Sequence, residues 1–110
     1  MKFPKAERAK IDRAKLVRYL LSETHPVGRW KAKFFRGIGF DERNVESLEK
    51  GLKEIVVTED IVATATSVHG EKYVVDGQIT SPTGKRVKLR TVWTVDEGEE
   101  EGRFVTAYPI

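Results

Sequence analysis

Cysteine is absent from the 110 residues. That removes disulfides, thiolate zinc sites and cysteine nucleophiles together. Histidine is scarce: His25 and His69 stand far apart and share no ligand spacing, so no metal constellation is expected. There is no Walker loop, no dinucleotide glycine pattern and no G-x-S-x-G elbow. Gly37-Ile38-Gly39 reads as a helix stop. Asp41-Glu42 and Glu99-Glu100-Glu101 fit a helix N-terminal turn and a solvated loop better than a glycosidase pair. No apolar run is long enough to span a bilayer, and MKFPKAERAKIDR lacks the apolar centre of a signal peptide. A cytoplasmic protein without membrane attachment or cofactor is the expectation.

What is present suffices for one core and a heavily charged surface: apolar residues make up 39% and charged residues 34%. The net charge of +3 is unevenly spread. Residues 1–36 hold 11 Lys+Arg against 3 Asp+Glu, whereas residues 37–62 hold 3 against 7 and residues 92–110 hold 1 against 5. The N-terminal excess could attract phosphate, or it could simply solvate a helix.

Residues 1–10 lack periodicity and read as a flexible basic arm before a single domain over 11–110. Asp12 is placed as an N-cap, with Ile11 and Leu16 as a hydrophobic staple. Leu16, Val17, Leu20 and Leu21 form one stripe, predicting a helix over 12–22. Pro26 suits the start of a second helix, whose core face would be Val27, Trp30, Phe34, Phe35 and Ile38. Asp41 caps a third helix with the stripe Val45, Leu48, Leu52 and Ile55.

After Thr58 the period becomes two. Strands are expected over 61–68, 72–79, 86–96 and 103–108, joined by short glycine-containing turns. The fold class is therefore α+β: two or three N-terminal helices packed on a four-stranded antiparallel meander. Val87, Leu89, Thr91, Trp93 and Val95 make the better core face of the third strand, leaving Arg90 on the open face. In the last strand alternation does not decide between Phe104, Thr106 and Tyr108 on one side and Val105 and Ala107 on the other.

Lys31 falls within the apolar stripe of the second helix. Its stem could cover the core edge while its ammonium snorkels to water, or it could serve a polar cleft. His, Lys, Arg, Thr and Tyr without cysteine form the inventory of a metal-independent ribonuclease. Such an enzyme takes the proton from a ribose 2′-hydroxyl, protonates the leaving 5′-oxygen, and stabilises charge on phosphorus with cations or hydrogen-bond donors.

The strings His25-Pro26-Val27-Gly28-Arg29-Trp30-Lys31-Ala32-Lys33-Phe34-Phe35, Lys72-Tyr73-Val74-Val75-Asp76-Gly77, Arg90-Thr91-Val92-Trp93 and Thr106-Ala107-Tyr108-Pro109 carry a resemblance. They resemble a bacterial domain-of-unknown-function family with the pattern HPVGR-x-KA-x-FF, KYVVDG, RTVW and TAYP. Its layout is similar to the ribonuclease-toxin superfamily that unites barnase, EndoU, colicin-type nucleases and RelE. The resemblance implies an active site between helix and sheet. It implies His25 as general base or acid, Lys31 and Arg90 as phosphate-neutralising cations, Thr106 as a hydrogen-bond donor, and Tyr108 stacking or moving a proton. Arg29, Lys33, Lys88 and Trp93 would bind RNA. An acidic antitoxin or immunity-type protein would be the neutralising partner. The alternatives are a non-catalytic RNA-binding module and a protein-interaction module that offers a sheet edge.

Overall fold

The computed structural model describes residues 1–26 and 28–110; Val27, expected in the second helix's stripe, lies outside the described residues. Among the described residues, three main helical segments precede the sheet, besides a 3-10 turn at Ala6–Arg8. The first is a single α-turn, α1 (Arg13–Lys15), which widens into a π-turn over Leu16–Leu20. Asp12 caps it, its side chain accepting from the Ala14 N–H at 2.9 Å. The Leu21 N–H reaches back five residues to the Leu16 carbonyl at 2.8 Å. The π-turn lets Leu16, Leu20 and Leu21 all enter the core and leaves Tyr19 half-buried beside them.

The second helix, α2 (Arg29–Gly37), starts later than the sequence suggests. Its buried line is Gly28, Ala32 and Phe35, at i, i+4 and i+7. Trp30 lies two residues from both Gly28 and Ala32, which turns it to the opposite side, and it is 67% exposed. Its expected core role is thus corrected. Asp41 and Asn44 close a capping box around a short 3-10 turn, and α3 (Val45–Thr58) follows. Its buried face is Val45, Leu48, Leu52, Ile55 and Val56.

The strands are β1 (Ile61–Ser67), β2 (Gly70–Thr80), β3 (Arg86–Asp96) and β4 (Arg103–Pro109). They pair antiparallel in the order β1-β2-β3-β4, so the α+β meander stands. Leu89, Thr91 and Trp93 of β3 are buried on the helix side, with Val75 and Ile79 of β2. Trp93 packs edge-on to Phe104 at 5.4 Å, and its indole N–H donates to the Thr91 hydroxyl at 2.8 Å. The expectation that Trp93 binds RNA is therefore overturned: its ring is wholly inside, with its one polar group satisfied.

A bulge decides the faces of β4. Val92 pairs with Thr106 but Trp93 pairs with Phe104, so Val105 is the extra residue. Phe104 and Ala107, three apart, both turn into the core. Thr106 and Tyr108 consequently stand on the open face, opposite Val92 and Arg90.

Residues 1–10 are docked rather than left as an arm. Phe3, Ala6 and Ala9 are buried, and the Phe3 ring meets Tyr73 edge-on at 5.1 Å. Residues 2 and 10 bridge to Asp60 and Arg103. The apolar side chains spaced by three were too few to read as periodic, yet they cover the sheet's aromatic end. Part of the N-terminal charge is also paired. Lys5 pairs with Glu100 at 2.9 Å, Lys10 with Glu101 at 3.5 Å, and Arg13 with Glu49 at 3.1 Å. Acidic segments distant in sequence thus balance Lys5, Lys10 and Arg13 of this basic start.

Candidate active site at the junction of helix and sheet

Where the π-turn, α2 and β4 meet, four side chains converge. The Lys31 ammonium donates to the Tyr19 hydroxyl at 2.6 Å. That hydroxyl also lies 3.2 Å from the Thr106 hydroxyl. The same ammonium stands over two aromatic rings, 5.2 Å from the centre of Tyr19 and 5.7 Å from that of Tyr108. Among the described residues, no carboxylate pairs with Lys31. Lys31 lies one turn along α2 from Phe35, so its stem follows the core while its ammonium is aimed over the β4 edge.

Gly28 makes this approach feasible. A Cβ there would overlap the backbone carbonyl of Tyr19, so only glycine lets the start of α2 press against the π-turn. His25 lies just before it. Its Nδ1 accepts the Gly28 N–H at 3.0 Å, and its ring meets Tyr19 edge-on at 5.0 Å. An accepting Nδ1 fixes Nε2 as the protonated nitrogen of the neutral ring. In this arrangement His25 is better suited to donate a hydrogen bond than to act as a base.

Arg90 is in cross-strand register with Tyr108 on one side and Asp76 on the other. Asp76 grips it with two bonds of 2.9 Å, to Nε and to an Nη. That fork holds the guanidinium well above its ordinary range, with Tyr108 adding slightly. Arg90 is therefore a fixed cation whose charge is partly balanced.

The electrostatics single out Tyr19. Burial alone would push its phenol up. The hydrogen bonds from Lys31 and Thr106, with the nearby charges of Lys31 and Lys15, outweigh burial and leave it below its ordinary value. Lys15 hangs over the other side, 5.6 Å from the ring centre. Tyr19 was missed by the sequence reading because it lies off the leucine stripe. The one local signal is Lys15 four residues before it on the same helical face.

The remaining expected residues lie elsewhere. Arg29 and Lys33 are exposed on α2, beside Trp30 in a shallow cleft of about 390 Å³, and the Arg29 guanidinium sits 5.2 Å from the Trp30 ring. Lys88 is exposed in a cleft of about 600 Å³ that also holds Asp76 and residues of α3. The structure thus brings His25, Lys31, Thr106 and Tyr108 together, adds Tyr19, and sets Arg90 beside Tyr108. Among the described residues no group of three or more His, Asp or Glu stands together as a metal site, and no helix is long and apolar enough to cross a membrane.

Helices packed on a four-stranded antiparallel meander, with a cationic and aromatic cluster at the last strand, define an α+β domain. The chain belongs to the family described as Domain of unknown function (DUF6883), whose model matches residues 2–110. No curated protein sequence matches it. Among solved structures it is similar to a chain of the contact-dependent growth inhibition toxin–immunity protein complex from Klebsiella pneumoniae 342. The TM-score is 0.69 at 18% identity, covering 91% of this chain and 98% of that one. At that identity the likeness is one of fold.

Proposed function

We propose that this chain is a metal-independent endoribonuclease of bacterial toxin type, with its active site at the Tyr19–Lys31–Thr106 junction. The observation that carries the reading is the Lys31 ammonium held 2.6 Å from the Tyr19 hydroxyl without a carboxylate partner among the described residues. A half-buried cation with that company is arranged to meet an anion.

The chemistry follows from the donors present. Tyr19, lowered toward its phenolate, accepts the proton of a ribose 2′-hydroxyl. The freed oxygen attacks phosphorus and forms a 2′,3′-cyclic phosphate. The bond from phosphorus to the 5′-oxygen breaks, and the leaving oxygen takes a proton from the Lys31 ammonium. Passage of a proton from the Tyr19 phenol to the neutral Lys31 amine, across their hydrogen bond, restores both groups. Thr106 supports the Tyr19 hydroxyl, the His25 ring stands beside Tyr19 to meet a phosphoryl oxygen, Arg90 adds positive charge, and Tyr108 offers a ring to a base. A toxin of this kind needs a neutralising partner. The similar fold comes from a toxin–immunity protein complex, which is in keeping with a protein partner, and a cationic site calls for an acidic one.

The test is incubation with total RNA in excess chelator. Fragments ending in 2′,3′-cyclic phosphate, with 2′-O-methylated RNA left intact, are expected. Cleavage only on adding Mg²⁺, or none with folded protein at high concentration, would refute the reading. Tight RNA binding without any cleavage would favour the non-catalytic module.

A further inference from the structure

We infer that the open sheet face beyond the Tyr19 cluster is a phosphate-binding track for the single-stranded RNA that flanks the reacting nucleotide; this rests on the ribonuclease reading above. Cross-strand register builds the track. Tyr108 pairs with Arg90, Thr106 with Val92, and Arg103 with Thr94, so three successive rows of the open face lead along β3 and β4. The third row continues from Arg103 through Thr94 to Lys72. Four residues separate Arg90 from Thr94, which at about 3.4 Å per residue is roughly 13 Å of strand.

This far end is a cleft of about 530 Å³ lined by Lys15, His69, Lys72, Thr94, Asp96 and Arg103 among others. Asp96 is the one carboxylate among those six, and Arg103 already holds it at 2.9 Å. Lys15 and Lys72 pair with no carboxylate among the described residues. Lys15 joins the two regions: its ammonium stands over the Tyr19 ring and its side chain lines the cleft. Burial first, then the Arg103 charge and more weakly that of Lys31, lower its pKa, against upward pulls from Tyr19 and Asp12.

A row of unbalanced cations beside an aromatic ring, on a sheet surface, suits a sugar-phosphate strand whose bases can stack. By contrast, Lys5, Lys10 and Arg13 are tied to Glu100, Glu101, and Glu46 with Glu49.

The probe is a fluorescent single-stranded 2′-O-methyl oligonucleotide of about twelve nucleotides, which spans such a groove but cannot be cleaved. Its affinity is measured by anisotropy across a salt series, with melting curves as folding controls. The wild type should bind, and the Lys15→Gln/Lys72→Gln double variant should bind more weakly. Its log–log salt slope should be shallower by about 0.7 for each phosphate that the variant no longer neutralises. Lys50→Gln/Lys85→Gln, away from this face, should keep the wild-type slope. RNA cleavage or binding by the wild type with an unchanged slope in the Lys15/Lys72 variant overturns the track while leaving the ribonuclease reading intact. No binding by the wild type overturns the track, and absent cleavage then overturns both. If the wild type instead captures polyglutamate, with the same dependence on Lys15 and Lys72, the face is a dock for an acidic protein and the track is wrong.

Discussion

The Lys31 ammonium and the Tyr19 hydroxyl meet at 2.6 Å from helical segments on either side of the His25-Pro26 break. Lys31 stands out in the sequence as a charge within an apolar stripe, whereas Tyr19 does not. Together they place a proton donor and a proton acceptor in one hydrogen bond beside Thr106 of the last strand.

Removing either half of this pair should separate activity from stability. Lys31→Met keeps the apolar stem, and Tyr19→Phe removes one oxygen. Both variants should melt within a few degrees of the wild type. Each should cleave RNA roughly a hundredfold more slowly, the scale of losing one preorganised group. Paired melting curves and single-turnover rates decide it; two folded variants cutting at the wild-type rate would remove Tyr19 and Lys31 from the mechanism.

The same pair has a signature in alkali. Lys31 holds the Tyr19 phenol below its ordinary pKa of 10.0. Without that ammonium the phenol should ionise at higher pH. In Lys31→Met one of the three tyrosines should therefore titrate later, seen as phenolate absorbance that is delayed relative to the wild type. The limb of the pH–rate profile governed by Tyr19 should move up with it. A superimposable titration in Tyr19→Phe/Lys31→Met and Tyr19→Phe, alongside an unmoved curve in Lys31→Met, would refute the coupling.

Two glycines should resist alanine for steric reasons. At Gly102 a Cβ would overlap the Phe3 ring, and at Gly28 the Tyr19 carbonyl. Gly102→Ala should expel Phe3 and cost about 1–3 kcal/mol, the scale of overpacking a core. Gly28→Ala should cost a similar amount and also displace α2 from the π-turn, lowering cleavage beyond what its melting temperature explains. Denaturant unfolding and rates measured below the transition test both.

Acid should loosen the fold through its paired carboxylates. Arg36, Arg43, Arg103 and Lys5 hold Glu42, Asp41, Asp96 and Glu100 below their ordinary values of 4.5 or 3.8. A depressed carboxylate contributes fully above its ordinary pKa and loses that contribution as pH falls through the folded value. The melting temperature should hold from neutrality to about pH 5 and drop below about pH 4. Glu42→Gln should melt lower at pH 7, with the gap closing towards pH 3. A gap independent of pH would mean that Glu42 acts by packing rather than by charge.

The two tryptophans should behave oppositely. Trp93→Ala should cost about 3–5 kcal/mol, the usual scale for emptying a core site. Trp30→Ala, on the exposed side of α2, should stay within about 0.5 kcal/mol. Chemical denaturation of the two variants gives the comparison directly.

Features governed by short-range chemistry are legible along the chain. Asp12 and Asp41 cap their segments because their side chains reach backbone N–H groups two or three residues away. Gly39, at φ 105°, ends α2 where few other residues could. The period-two pattern of residues 86–96 marked β3 with its observed limits and its buried side. Arg90 is where that alternation puts it, on the open face beside Tyr108.

The rest follows from packing between segments far apart in the chain. Trp30 and Trp93 are equally apolar in sequence, but the line from Gly28 to Phe35 leaves one outside and the register of β3 takes the other in. The basic N-terminal segment looked like a free arm until the fold brought Glu100, Glu101 and Glu49 to it. The meeting of Lys31 with Tyr19 depends on two segments packing through Gly28, and no local pattern encodes that approach. Most consequential is the extra residue at Val105. Alternation through β4 would put Phe104, Thr106 and Tyr108 on one face. The bulge reverses the side chains after Phe104, so the core keeps the phenylalanine while Thr106 and Tyr108 reach the open face. A bulge depends on which residue of the neighbouring strand each one faces, and that choice is made by packing, not by sequence period.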